Sequence, residues 1–121
     1  MALLRRVRFM KQFGRTLNLK DDPKVIETYL EYHRAVWPEV EAGLRGIGIH
    51  RMLIWILGRR LFMFMETDDG FEPARDFPRY EASHPRVKEW QGLMASMQEP
   101  VPEAAPGDLW AEMDLAYRLD G

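Results

Sequence analysis

Three rings could share a chemical task. Tyr29, His33 and Trp37 fall four residues apart within "YLEYHRAVWPEVE", residues 29 to 41. Steps of four bring side chains close to one helical face. Histidine titrates near neutral pH, so His33 can accept and donate a proton there. Flat rings suit the apolar face of a sugar, and a phenol or imidazole can bond its hydroxyls. The competing account is a histidine satisfied within a core, which spacing alone favours. Trp90 raises the same choice, because it sits in a helical stripe with Leu93, Met94 and Met97. On spacing it reads as core packing.

Other chemistries find little support. The chain has no cysteine and three histidines. Disulfides and thiolate nucleophiles are excluded, and His33, His50 and His84 show no metal-ligand spacing. A metal is therefore not expected. The sequence has no GxGxxG and no phosphate-binding lysine loop, so the basic runs "RRVR" and "RRLF" read as solvated charge at strand ends. A net charge of -2 gives no reason to expect nucleic acid. No apolar run approaches the roughly 18 residues of a membrane span. The first twenty residues hold six basic residues and no acidic one. That is a transit-peptide composition, yet residues 7 to 17 read as a strand, and the cytoplasm is the expected location.

The elements that would position these residues follow from periodicity. The 121 residues suit a single domain, 1–121. Residues 5 to 19 alternate as a strand, with Gly14 a candidate bulge. A helix is expected after Asp21 or Asp22, with Pro23 in its first turn. Pro38 should kink it or begin a new one, and Gly46 and Gly48 should end it. "IHRMLIWIL" and "RRLFMFMETD" read as a β-hairpin turning at Gly58. Pro73, Pro78 and Pro85 break the next helical stretch, leaving a main helix from about Pro85 to Gln98 with Ser83 as N-cap. "PVPEAAPGD" is a loop, and "LWAEMDLAYRL" alternates as a last strand.

The order is β-α-β-β-α-β. It predicts an α+β, ferredoxin-like fold, with a four-stranded antiparallel sheet and helices on one face. The other face also carries Phe, Met and Trp. A second copy packed against it would cover them, so a homodimer through the sheet face is expected.

The chain resembles the L-rhamnose mutarotases. The similarity is carried by "YLEYHRAVWPEV", "GIHRMLIWI", "LFMFME", "VKEWQGLM" and "LWAEMDLAYRLD", and it spans roughly residues 7 to 120. The resemblance implies a dimeric α/β barrel without cofactor that interconverts the α and β anomers of L-rhamnose or a related 6-deoxy-sugar. It implies that His33 is the proton donor, that Tyr29 contacts the sugar, and that Trp90 lines its site. It leaves Trp37 a wall or packing role. Two positions depart from the family. Met52 stands where a tyrosine contacts sugar, and Gln91 replaces the second residue of a Trp-Trp pair. Both alter the sugar-binding surface, so sugar identity is the open property. Protonated His33 would serve the ring oxygen, with Glu112 or water as partner base. The alternatives are a cofactor-free monooxygenase-type enzyme on this fold and a non-catalytic sugar-binding dimer.

Overall fold

A computed structural model describes residues 10–120. The expected strand residues 5 to 9 lie outside that range. The described chain runs β1 (Lys11–Leu19), α1 (Pro23–Arg34), α2 (Pro38–Gly46), β2 (Ile49–Leu57), β3 (Arg60–Thr67), α3 (Pro73–Glu81), α4 (Pro85–Met97), β4 (Gln98–Glu99) and β5 (Ala111–Met113). The antiparallel sheet has the order β2-β3-β1, and β4 and β5 pair with the remaining edge of β1. Two short pieces thus occupy the place of the fourth strand in a ferredoxin-like sheet.

Prolines set the helical boundaries. Asp22 caps α1 by accepting from Lys24 N–H at 2.9 Å, and Pro23 follows in the first turn. Pro38 forces Trp37 into extended backbone, so one periodic stretch becomes two helices, α1 and α2. Pro78 lies inside α3 and does not break it. The price is one missing backbone hydrogen bond. The cap of α4 is His84, not Ser83: His84 Nδ1 accepts from Arg86 N–H at 3.0 Å, while Ser83 Oγ donates to the Tyr80 carbonyl.

Strand register decides what faces the helices. Antiparallel partners share a face. Phe13–Met65–Met52, Arg15–Met63–Ile54 and Leu17–Leu61–Ile56 form rows across β1, β3 and β2. Leu17, Leu61 and Met65 are fully buried beneath the helices, with Tyr29, Val40, Val87 and Trp90 packed above. The opposite face carries Leu53, Trp55 and Leu57 on β2, Phe62 and Phe64 on β3, and Met113 on β5.

Two strand expectations change. Gly14 is not a bulge, because it pairs in register with both Phe64 and Met113. The irregularity lies between Ile49 and Arg51 in β2. Gly14 instead makes room: a Cβ there would sit 3.3 Å from the Phe62 ring. Among the described residues the final strand pairs over Ala111–Met113, although its apolar alternation continues to Leu119. Alternation reports which side chains share a face, and pairing needs a partner edge. Leu115, Tyr117 and Leu119 are exposed.

Gly92 lies in α4, where a Cβ would meet nothing within 4 Å. Glycine inside a helix costs about 0.5–1 kcal/mol relative to alanine. Gly92→Ala is expected to raise the melting temperature by about 2–5 °C. An unchanged or lower midpoint in a thermal melt would contradict the open space at this position.

Candidate active site

Tyr29, Tyr32 and His33 stand on α1, Trp37 on the link to α2, and Trp90 on α4. The break at Pro38 turns α2 away and leaves the Trp37 indole against α4. Trp90 is the hub. Its ring centroid lies 5.1 Å from Trp37, 5.3 Å from His33 and 5.9 Å from Tyr32, each time edge to face. That geometry suits the aromatic quadrupole. Tyr29 stacks on His33, with centroids 4.2 Å apart and planes 26° from parallel.

The histidine tautomer follows from its partner. His33 Nδ1 lies 2.8 Å from the Tyr29 backbone carbonyl. A carbonyl only accepts, so Nδ1 carries the hydrogen and Nε2 carries the lone pair of the neutral ring. In the neutral ring Nε2 is a lone-pair acceptor, and after protonation it is a donor. Burial lowers the His33 pKa from its ordinary value, opposed in part by the bond to Tyr29. Tyr29 is almost wholly buried, and burial pushes its phenol up to about 12 against a hydrogen bond with Gln98. The phenol is a neutral hydrogen-bonding group at physiological pH and holds the imidazole flat.

The structure therefore brings Tyr29, His33 and Trp90 together. Met52 stands in β2 opposite Met65, on the sheet face beneath the helices, and packs against the core that includes Tyr29 and Trp90. Gln91 follows Trp90 but turns toward α3, where Tyr80 Oη lies 3.5 Å from its side-chain oxygen. The Glu112 carboxylate is taken by Arg15, at 2.8 Å. His50 pairs with Asp68 at 2.5 Å, and His84 serves as the helix cap. Among the described residues no group of three His, Asp or Glu side chains could hold a metal ion. A cleft of about 370 Å³ opens between α2, α3 and the start of α4, lined by Glu39, Gly43, Arg79, Ser83 and His84 among others. His33 is not part of its lining.

Two residues of the cluster were not expected. Tyr32 adjoins His33 in sequence and reaches Trp90 around the helix. Arg86 stands one turn before Trp90 and places its guanidinium carbon 3.6 Å from the Trp37 ring centroid. The spacing of four between Arg86 and Trp90 was the available signal.

A histidine packed among Tyr29, Trp90 and their aromatic neighbours, on the helices above a ferredoxin-like sheet, is what these features define. Residues 12–119 match the model of the L-rhamnose mutarotase family. The chain belongs to that family, whose members are sugar isomerases. A Dictyostelium discoideum protein of the UPF0734 group is 41% identical over 113 residues, covering 91% of this chain and 90% of its own. An L-fucose mutarotase of Xanthomonas campestris pv. campestris is 37% identical over 112 residues, covering 91% and 89%. Among solved structures, an L-rhamnose mutarotase from Formosa agariphila superposes with a TM-score of 0.64 at 20% identity, over 91% of this chain and 99% of that one. A type-II polyketide cyclase from Streptomyces glaucescens follows at 0.55 and 18%, over 92% and 98%. At these identities the structural matches speak for the fold. No helix among the described residues is long and apolar enough to cross a membrane.

Proposed function

We propose that this protein is a mutarotase for a 6-deoxy-hexose, with L-fucose and L-rhamnose the sugars to test. The observation that carries the reading is the His33 imidazole, whose Nδ1 is tied to the Tyr29 carbonyl so that Nε2 is left for chemistry. Neutral Nε2 accepts the proton of the anomeric hydroxyl. The imidazolium then gives a proton to the ring oxygen, and the bond from that oxygen to the anomeric carbon breaks. Both oxygens sit on one carbon, so one nitrogen reaches each in turn. The open-chain aldehyde rotates, the freed hydroxyl attacks its other face, and the proton transfers reverse. No proton is gained or lost overall. Tyr29 orients the imidazole, and Trp90 with Trp37 forms a rigid wall. The test is saturation-transfer NMR between the α and β anomeric protons of L-fucose and L-rhamnose. Accelerated exchange of either is expected, and spontaneous rates for both would refute the proposal.

The pH profile follows from the lowered pKa. A neutral base is lost when it protonates, so kcat/KM should be flat near neutrality and fall on the acid side, with a midpoint below about 6.5. Activity that instead declined as pH rose through such a midpoint would make the imidazolium the reacting form of the free enzyme. Stability carries the same sign. The folded state resists protonating His33, so its contribution is complete above the unfolded pKa and is lost as pH falls through the folded one.

A homodimer through the open sheet face is part of the same reading. Trp55 is 53% exposed and Leu57 84%, and Trp55 stacks on Phe62 at 5.7 Å. With Leu53 and Met113 they make a contiguous apolar surface of the kind that self-association covers. Trp55→Glu is expected to give monomers by light scattering where the wild type gives dimers. A wild-type monomer would refute the dimer.

A further inference from the structure

The aromatic cluster ends in a cation. Trp37 stands between the two helices: α1 closes at Arg34 with Ala35 as its C-cap, and Trp37 is the N-cap of α2, its carbonyl accepting from Val40 and Glu41 N–H while its side chain makes no capping bond. Pro38 holds its backbone extended, at φ −62° and ψ 138°. The indole is therefore placed by what packs on it. Trp90 lies 5.1 Å away and Tyr32 6.5 Å, and the Arg86 guanidinium carbon is 3.6 Å from the ring centroid. Arg86 has two further partners. Its backbone N–H donates to His84 Nδ1 at 3.0 Å, and its Nη1 donates to Glu89 at 3.2 Å.

We infer that Arg86 is a positioning residue of the active site, holding the Trp37 ring against Trp90 and so keeping the wall beside His33 in shape. This rests on the mutarotase reading. A guanidinium suits the task because it is planar and weakly hydrated, and it stacks on an indole face. Its effect on the reaction passes through Trp37. Lysine keeps the charge without the plane and should replace it only in part.

The test compares wild type with Arg86→Met, Arg86→Lys, Trp37→Leu and the Arg86→Met/Trp37→Leu double variant. The readouts are near-UV circular dichroism, which reports the packing of the two indoles, and the kinetics of anomer exchange. Arg86→Met should change the near-UV band and raise KM about fivefold. It should leave kcat within about twofold and the acid midpoint in place, because His33 is untouched. Arg86→Lys should fall between. In the Trp37→Leu background, loss of Arg86 should have no further effect on KM. An additive loss in the double variant, a shifted acid midpoint, or an unchanged band and KM would each overturn the inference. If wild type exchanges neither sugar, the mutarotase reading fails separately. The near-UV band of Arg86→Met then decides whether Arg86 holds the tryptophan pair, and an unchanged band refutes it.

Discussion

His33→Ala is expected to lower catalysed anomer exchange by about 10²–10⁴-fold, the range that a positioned general acid–base group contributes. The loss should fall on kcat and kcat/KM alike, because proton transfer belongs to the transition state. The fold should survive. Position 33 is the penultimate residue of α1, alanine is a strong helix former, and Tyr29 keeps its place in the core. The variant loses a stacked contact with Tyr29 and an edge contact with Trp90, each about 0.5–1.5 kcal/mol in comparable pairs. Far-UV circular dichroism should match wild type while saturation transfer between anomers drops to the spontaneous rate. Full exchange in a folded His33→Ala protein would remove the imidazole from the mechanism and leave Tyr29 or solvent to carry it. Adding imidazole to the variant provides an independent reading. Partial recovery would show that the lost group worked as a proton carrier and not as a packing element.

The residues that spoke clearly in the sequence were those with one physical meaning. Pro38 cannot continue a helix from Trp37, and the structure has two helices there. Gly58 sits at the hairpin turn with φ 62°, a conformation glycine adopts without strain. Spacing of four put Tyr29 beside His33, and the stacked pair confirms that local geometry. Residues with two meanings were harder. Gly14 could signal a bulge or a close approach, and only the position of the Phe62 ring separates these. Ser83 and His84 can both cap, and the backbone of Arg86 selects the histidine. The alternation of residues 109–119 sorted the faces but could not give the pairing, which among the described residues covers Ala111–Met113. Within the site, helical spacing could not say that Gln91 turns to Tyr80, because that depends on where α3 lies relative to α4. The contact of Arg86 with Trp37 likewise joins two segments far apart in sequence; spacing of four puts Arg86 beside Trp90 but does not name Trp37.

Trp90→Ala is expected to be the most destabilising single change at the site, at about 3–5 kcal/mol for truncation of a buried tryptophan. Trp90 is 4% exposed and joins α4 to α1 through Tyr32 and His33 and to the linker through Trp37. Removing the indole leaves a cavity bordered by three rings that covalent geometry ties to other elements, so they can close it only in part. Urea unfolding should show a midpoint shift of that size with an unchanged m-value. Trp90→Phe refills much of the space and should cost well under half as much. The pair separates two roles that Trp90 combines. A Phe variant that keeps stability but loses exchange would mean that the indole meets the sugar or sets the angle of His33. A Phe variant that keeps both would mean that any ring of adequate size suffices, and that Trp90 serves the reaction by filling the core behind His33. A stability loss below about 1 kcal/mol for Trp90→Ala would contradict the burial itself, since contacts this dense cannot be deleted at so small a cost.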